Sequence, residues 1–259
     1  RNSIRTRIAR SMTAVALLSV AILCAASVLG LLRMKNQTLQ ITGDMGAQAA
    51  EDSRAILENE AMDQLSAQAA ATAETVGARI QSIMSQVDIL TVTAEELYAA
   101  PHAFGRIGVQ PPDAANQGVY VAQIVYAERT SPQTAADEVG LIGNLTVQMS
   151  GVSRYLEGAG TTQIGTESGF IIMCDENSGL KTSMGHLDPV ERSWYRMAAD
   201  SGELTWSQVF EDAYGRGLAV TCGKPVYGPD GALRAVVSIG STLDDIGESA
   251  TALTIGKSG

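Results

Sequence analysis

The sequence predicts an α+β fold, in which helices precede and flank a small antiparallel sheet. Three observations predict it: an apolar run without charges at 12–32, a helical repeat of apolar residues at 76–97, and short strand-like runs separated by turns from residue 161 onward. The chain has 259 residues, so it is long enough for one core and additional segments outside it.

The composition argues against two classes of function. The net charge is −10, whereas a nucleic-acid-binding protein needs a basic surface to displace counterions. The few cysteines and histidines lack the spacing of metal ligands: Cys24, Cys174, Cys222, His102 and His186. We therefore expect no nucleic-acid partner, no metal ion and no cofactor.

The segment 12–32 has no charged side chain and is long enough for a helix that crosses a hydrocarbon layer of ~30 Å. Basic residues are more numerous before it than after it: Arg1, Arg5, Arg7 and Arg10 against Arg33 and Lys35. This bias predicts a cytoplasmic N-terminus at 1–11 and an extracytoplasmic chain from residue 33 to 259, anchored in a cell membrane. A cleaved signal peptide is the alternative, although the apolar run is long for one.

A long helix is predicted over 33–99, because the segment is poor in proline and rich in alanine, glutamine and glutamate. Apolar residues recur there in steps of four and three: Val76, Ile80, Ile83, Val87, Leu90, Ala94 and Leu97. This repeat is typical of a coiled-coil seam. Two compatible interpretations follow: the helix packs along its own domain, or it forms a homodimeric stalk that carries motion towards the membrane.

The remaining elements are predicted from breaks in periodicity. Pro101 ends the long helix, and 101–131 is an irregular connection with a strand near 119–126. A second helix begins at Ser131-Pro132 and runs to about residue 156. Strands are predicted at Thr161–Thr166, Phe170–Asp175, Leu218–Tyr227 and Leu233–Ser241. The last two form a hairpin, because Gly228-Pro229-Asp230-Gly231 between them is a turn sequence.

The most distinctive segment is Asp188-Pro189-Val190-Glu191-Arg192-Ser193-Trp194-Tyr195. Asp188 before Pro189 predicts the start of a helix, with Asp188 as its N-cap. Arg192 and Tyr195 are three positions apart and would then share one helix face. A guanidinium, an indole N–H and a phenol O–H that converge there would suit a small anion, most naturally a carboxylate.

This segment, together with Trp206, the stretch 210–217 and the hairpin after it, resembles the extracellular Cache sensor modules of bacterial transmembrane receptors, in their double-Cache form. The resemblance implies a PAS-like antiparallel sheet at 100–245 as the membrane-distal sensor module and the start of a truncated membrane-proximal module at 246–259. The chain is therefore expected to be a fragment. Its output domain would be a chemotaxis signalling domain, a histidine kinase, a diguanylate cyclase or a PP2C-like phosphatase.

The resemblance also implies a ligand site. In the amino-acid-binding branch of the family, the arginine and tryptophan of the motif hold the ligand carboxylate, and these are Arg192 and Trp194 here. Tyr195 is the motif tyrosine. Asp212 remains in place to bind a hydroxyl or an amine, and Asp175 is a weaker candidate.

The half of the site that would hold an ammonium group is altered. Two expected tyrosines are replaced by Leu187 and Phe210, and the expected aspartate of the last strand falls at Gly240. Without that carboxylate a buried ammonium would be unpaired, at a cost of several kcal/mol. We therefore expect a carboxylate without an amine, or another small polar metabolite, with Phe210 among the residues around it.

Structural interpretations stand beside these functional ones. Trp194 and Tyr195 could be core aromatics, and Arg192 could pair with Asp188 or Glu191. Trp206 is expected to pack in the core, Arg216 to be a solvated turn arginine, and Cys174 and Cys222 to be buried thiols or, alternatively, a disulfide. An enzyme is not expected, because no nucleophile–histidine–acid set or metal cluster is apparent. The alternative to a sensor is a structural or protein-interaction ectodomain with a non-functional pocket.

Overall fold

The computed structural model describes residues 24, 27, 44–156, 158–182, 185–212 and 215–246. The predicted membrane span at 12–32 lies outside the described residues apart from Cys24 and Ser27, as does most of the predicted module start at 246–259. Within the described part of the chain, no helix combines the length and the apolar character that crossing a membrane requires.

The chain divides into two compact units, Arg1–Gly77 with Ser249–Gly259, and Ala78–Glu248. The described part of the first unit is dominated by the beginning of helix α1, which covers Asp44–Ala99. The second unit contains the end of α1, the sheet and the candidate site.

The apolar stripe of α1 is buried within the second unit. Five residues of the predicted repeat are at most 1% exposed and belong to its hydrophobic core: Ile83, Val87, Leu90, Ala94 and Leu97. The prediction that the helix packs along its own domain is therefore confirmed. The interpretation of these five residues as a homodimer seam is wrong, because the core of their own domain already covers them.

The helices and strands predicted after α1 occur in the predicted order, together with two short strands and one short helix that were not predicted. The strands are β1 (Val121–Tyr126), β2 (Thr161–Thr166), β3 (Phe170–Asp175), β4 (Thr205–Trp206), β5 (Phe210–Glu211), β6 (Leu218–Tyr227) and β7 (Leu233–Thr242). The helices are α2 (Pro132–Ile142), α3 (Thr146–Tyr155), α4 (Ser178–Lys181) and α5 (Ser193–Ser201). The single helix predicted from Ser131 is interrupted by a 3-10 turn at Gly143–Leu145.

The strands form one antiparallel sheet in the order β1-β3-β2-β7-β6-β4, with β5 also paired to β6. Helices α1, α2 and α3 form the larger core together with strand side chains such as Ile124, Ile172 and Val237. Alternate residues of the same strands point to the other face, where Ile171, Met173 and Val236 pack with α5. The candidate site lies on this second face.

Gly165 on β2 allows the segment 188–195 to approach the sheet closely. A Cβ atom at this position would lie 2.6 Å from Cβ of Pro189 and 2.8 Å from Cη2 of Trp194. We predict that Gly165→Ala destabilises the domain by about 1–3 kcal/mol, as overpacking does, measured by urea denaturation. Gly151→Ala is the matched control, because a Cβ there meets nothing within 4 Å. Equal stabilities of the two variants would contradict the prediction.

Candidate ligand-binding site

The segment 188–195 is not one continuous helix. Asp188 caps a 3-10 turn at Pro189–Glu191 and accepts a hydrogen bond from the Val190 N–H at 3.3 Å. Arg192 is extended, with φ −80° and ψ 141°, and α5 begins only at Ser193. The capping role predicted for Asp188 is confirmed. The prediction that Arg192 and Tyr195 share a helix face is wrong, because Arg192 precedes the α-helix.

The side chain of Tyr195 points into the interior of the domain. Its side chain is buried, and its hydroxyl donates a hydrogen bond to Oε1 of Glu167 at 2.7 Å. Burial, reinforced by the hydrogen bond to Glu167, raises the pKa of Tyr195 far above its usual value, so the phenol remains protonated. Tyr195 therefore fixes α5 on the sheet, as the structural interpretation of this residue predicted.

Asp188 is paired with Arg129 and not with Arg192. Nε and Nη2 of Arg129 donate to the two carboxylate oxygens of Asp188 at 2.5 and 3.0 Å. This hydrogen-bonded guanidinium lowers the pKa of Asp188. The pair joins the turn after β1 to the start of the motif, which leaves Arg192 available for another role.

A cavity of about 70 Å³ lies between the motif, the sheet and the loop from β5 to β6. Arg192, Asp212 and Arg216 are its charged lining residues, among those that the structure describes. Hydroxyl and amide groups of Thr161, Gln163, Thr221 and Ser241 also line it, as do the rings of Trp194 and Phe210. The cavity is thus polar along part of its wall and aromatic along another.

The structure brings four of the six predicted ligand-binding residues to this cavity. Arg192, Trp194, Phe210 and Asp212 line it, whereas Tyr195 and Asp175 do not. Their contact with a ligand stays a prediction. The three positions at which the resemblance places lost ammonium contacts also line the same cavity: Leu187, Phe210 and Gly240.

The two arginines of the cavity differ in their partners. Arg216 donates from Nε and Nη2 to both carboxylate oxygens of Asp212, each at 2.9 Å. By contrast, the guanidinium of Arg192 forms no ion pair or hydrogen bond with any residue in the described part of the chain, although Arg192 is half-buried. The prediction that Arg216 is a solvated turn arginine is wrong, since its side chain is only 26% exposed and ion-paired.

Asp175 is committed to a different interaction. Lys181 Nζ lies 2.6 Å from Oδ1 of Asp175, and these side chains are 0% and 2% exposed. The other carboxylate oxygen accepts from the Thr161 hydroxyl at 3.0 Å, and the Arg216 guanidinium donates to that hydroxyl at 3.3 Å. Thr161 therefore connects the buried pair to the wall of the cavity.

The predictions for the cysteines and for Trp206 are confirmed. Cys174 and Cys222 are buried free thiols, and burial raises the pKa of Cys174 to about 11. Trp206 packs against the larger core. No group of histidine, cysteine, aspartate or glutamate side chains within the described ranges could hold a metal ion.

No protein-family model matches the sequence, and no curated protein is significantly similar to it. The solved structures that resemble the chain include sensory domains of bacterial chemoreceptors. The ligand-binding domain of the Pseudomonas aeruginosa amino-acid chemoreceptor PctC in complex with GABA is 18% identical, with a TM-score of 0.38 over 71% of this chain and 65% of that one.

The ligand-binding domain of the chemoreceptor PctB from the same organism, in complex with L-Arg, is 17% identical (TM-score 0.41, 75% of this chain, 62% of that one). The periplasmic sensory domain of the Campylobacter jejuni chemoreceptor Tlp1 is 9% identical (TM-score 0.44, 72% and 62%). The chain thus spans less than two thirds of each of these structures. Similarities this distant do not indicate what the chain binds.

Proposed function

We propose that this chain is the extracellular ligand-sensing region of a bacterial membrane receptor, and that its cavity binds a small polar metabolite through a carboxylate. The motif at 188–195 supports the sensory class. The main support for a carboxylate ligand is the guanidinium of Arg192, which lines the cavity with no partner among the described residues. A half-buried cation is stabilised when a carboxylate accepts its paired N–H groups.

The size of the cavity supports a small ligand. A volume of about 70 Å³ holds roughly five water molecules, at about 10–15 Å³ each by this measure. Because bonded atoms lie closer together than neighbouring water molecules, a metabolite of roughly six to eight non-hydrogen atoms would fill it by displacing these waters. The rings of Trp194 and Phe210 would cover its carbon chain, and the lining hydroxyl groups would bind its polar atoms.

The sheet offers a physical connection between the cavity and α1. Ala219 and Thr221 of β6 line the cavity, and the same strand contacts α1 further along. There Lys224 Nζ lies 2.7 Å from Asp88, and the Tyr227 N–H donates to Glu95 at 3.4 Å. We infer that a ligand which prefers one position of β6 biases the position of α1, and thereby signals towards the membrane.

Thermal denaturation of the purified chain with a panel of organic acids, amino acids, amines and sugars tests the proposal. A ligand at 100 times its dissociation constant adds ~2.7 kcal/mol to the free energy of unfolding. We predict that a carboxylic acid stabilises the unaltered chain and that Arg192→Ala weakens its binding at least about tenfold, because a charge-assisted contact is lost.

Arg196→Ala is the matched control. Arg196 lies one turn further along the same segment, is exposed, and donates to the Glu191 carbonyl rather than lining the cavity. Its replacement should leave binding unchanged. Equal binding by the Arg192→Ala variant and the unaltered chain would exclude Arg192 as the anchor. A folded chain that no compound stabilises would instead favour a structural ectodomain.

A further inference from the structure

The ion pair of Asp212 and Arg216 is held by the loop that joins β5 to β6. Glu211 pairs with Leu218 across this loop, and the Asp212 N–H donates to the Gly217 carbonyl at 2.8 Å. The loop thus sets the two side chains opposite each other, and the guanidinium meets the carboxylate through two parallel contacts of 2.9 Å. Such forked contacts are the strong form of this ion pair. The pair is therefore formed before any ligand enters.

The charges of the described lining residues determine which ligand charge is tolerated. Asp212 and Arg216 neutralise each other, so Arg192 gives the cavity a charge of one positive unit. A single ligand carboxylate brings this charge to zero. A second ligand carboxylate would have no cation to pair with. It would also lie near the carboxylate of Asp212, whose side chain is only 9% exposed. An ammonium group would find the lining carboxylate already engaged by Arg216.

We propose that Asp212 and Arg216 together determine the selectivity of this site, by restricting the ligand to one carboxylate and otherwise uncharged polar groups. This inference rests on the proposed carboxylate site at Arg192. The neutral groups of the wall match such a ligand. The Thr221 hydroxyl can donate to a ligand hydroxyl, keto or carboxamide oxygen. The hydroxyls of Thr161 and Ser241 already donate, to Asp175 and to the Gly158 carbonyl, so they can only accept from a ligand hydroxyl or carboxamide N–H. Gln163 is already fixed by its hydrogen bond to Ser238 at 3.1 Å.

Matched acids that differ only at the far end test the proposal. The four-carbon set is succinamate, 4-hydroxybutanoate, succinate and 4-aminobutanoate, which present an amide, a hydroxyl, a carboxylate and an ammonium group. The corresponding acids of three, five and six carbons extend the panel in length. Calorimetric titration of the purified chain should show the amide or hydroxyl member binding at least about tenfold more tightly than the dianion and the amine of equal length.

Two substitutions should move this selectivity in opposite directions. Asp212→Asn removes the negative charge that neutralises Arg216. The affinity for the dicarboxylate should therefore increase at least about tenfold relative to that for the neutral members. Arg216→Gln removes the guanidinium that neutralises the Asp212 carboxylate, so the ammonium-bearing acid should gain affinity instead. A purely structural role of the pair would weaken all ligands similarly in both variants.

The outcomes separate this inference from the proposed function. If both variants keep the selectivity of the unaltered chain while Arg192→Ala abolishes binding, the role of the pair is overturned and the carboxylate site stands. If the dicarboxylate or the amine binds the unaltered chain best, the inference is likewise overturned. If no acid of the panel binds any of the three proteins, the inferred ligand class is wrong. The proposed function itself fails only if the wider screen of acids also finds no ligand that depends on Arg192.

Discussion

A chain that carries Lys181→Met is expected to lose about 3–5 kcal/mol of its free energy of unfolding, since removing one partner of a buried ion pair leaves the other charge uncompensated. Lys181 is fully buried, and its Nζ lies 2.6 Å from Asp175. The carboxylate that remains would keep its hydrogen bonds from Thr161 and the Asn177 N–H but would lose its counter-charge. Urea denaturation followed by circular dichroism measures the difference.

Lys224→Met is the control for this prediction. Lys224 also pairs with an aspartate, at 2.7 Å from Asp88, but the two side chains are 31% and 52% exposed. Pairs of this kind contribute up to about 1 kcal/mol. The double variant Lys181→Met/Asp175→Asn should recover part of the loss, because the amide oxygen can still accept hydrogen bonds without a charge. Equal losses in the single and double variants would show that the buried charge is not the cause.

Much of the fold could be predicted because it depends on local patterns. β2, β3 and β6 have the predicted bounds, and β7 is longer by the single residue Thr242. Alternating or continuous apolar runs and the turn at 228–231 determine these elements. The pairing of β2 with β7 connects distant parts of the chain, and no local pattern indicates it.

The stripe of α1 illustrates a limit of periodicity. Apolar residues in steps of four and three indicate which face of a helix is buried. They do not indicate whether that face packs against a partner helix or against a sheet, because both produce the same spacing. Here the sheet and helices α2 and α3 of the same domain bury the stripe from Ile83 to Leu97. A homodimer and the membrane anchor remain predictions.

The site was predicted in part. The motif identified Arg192 and Trp194, since the composition of that segment is unusual for this chain. Arg216 was missed as a lining residue because its neighbours Gly215 and Gly217 indicate a turn, and a turn does not reveal which way its side chain points. The ion pair with Asp212 depends on how the loop from β5 to β6 closes. The extended conformation of Arg192 was also missed, because Asp188-Pro189 starts a 3-10 turn as readily as an α-helix.

Gly240→Asp is expected to convert the proposed monocarboxylate site into one that binds an α-amino acid. A Cβ at position 240 would meet its nearest neighbours, Thr221 Oγ1 and the Thr161 carbonyl oxygen, at 3.5 and 3.8 Å, which are ordinary contacts. The new carboxylate would therefore enter the cavity without displacing the sheet. The charge of the described lining residues would fall from one positive unit to zero, which matches a zwitterion.

This result does not depend on which carboxylate Arg216 selects. Arg216 can neutralise Asp212 or the introduced aspartate, and in either case one carboxylate remains for the ligand ammonium while Arg192 holds the ligand carboxylate. A close charge pair in a desolvated site contributes about 1.5–7 kcal/mol. We therefore expect the affinity for at least one small α-amino acid to rise tenfold or more, at about 1.4 kcal/mol per factor of ten.

Gly240→Asn separates charge from size. Its side chain fills the same space but carries no charge, so it should not increase the affinity for amino acids. It should weaken the binding of monocarboxylates less than Gly240→Asp does, because the aspartate adds a negative charge as well as volume. Calorimetric titration of both variants with alanine, serine and their hydroxy-acid counterparts measures the difference. An equal gain for amino acids in both variants would show that the added volume changes the site, and that position 240 does not face the ligand amine.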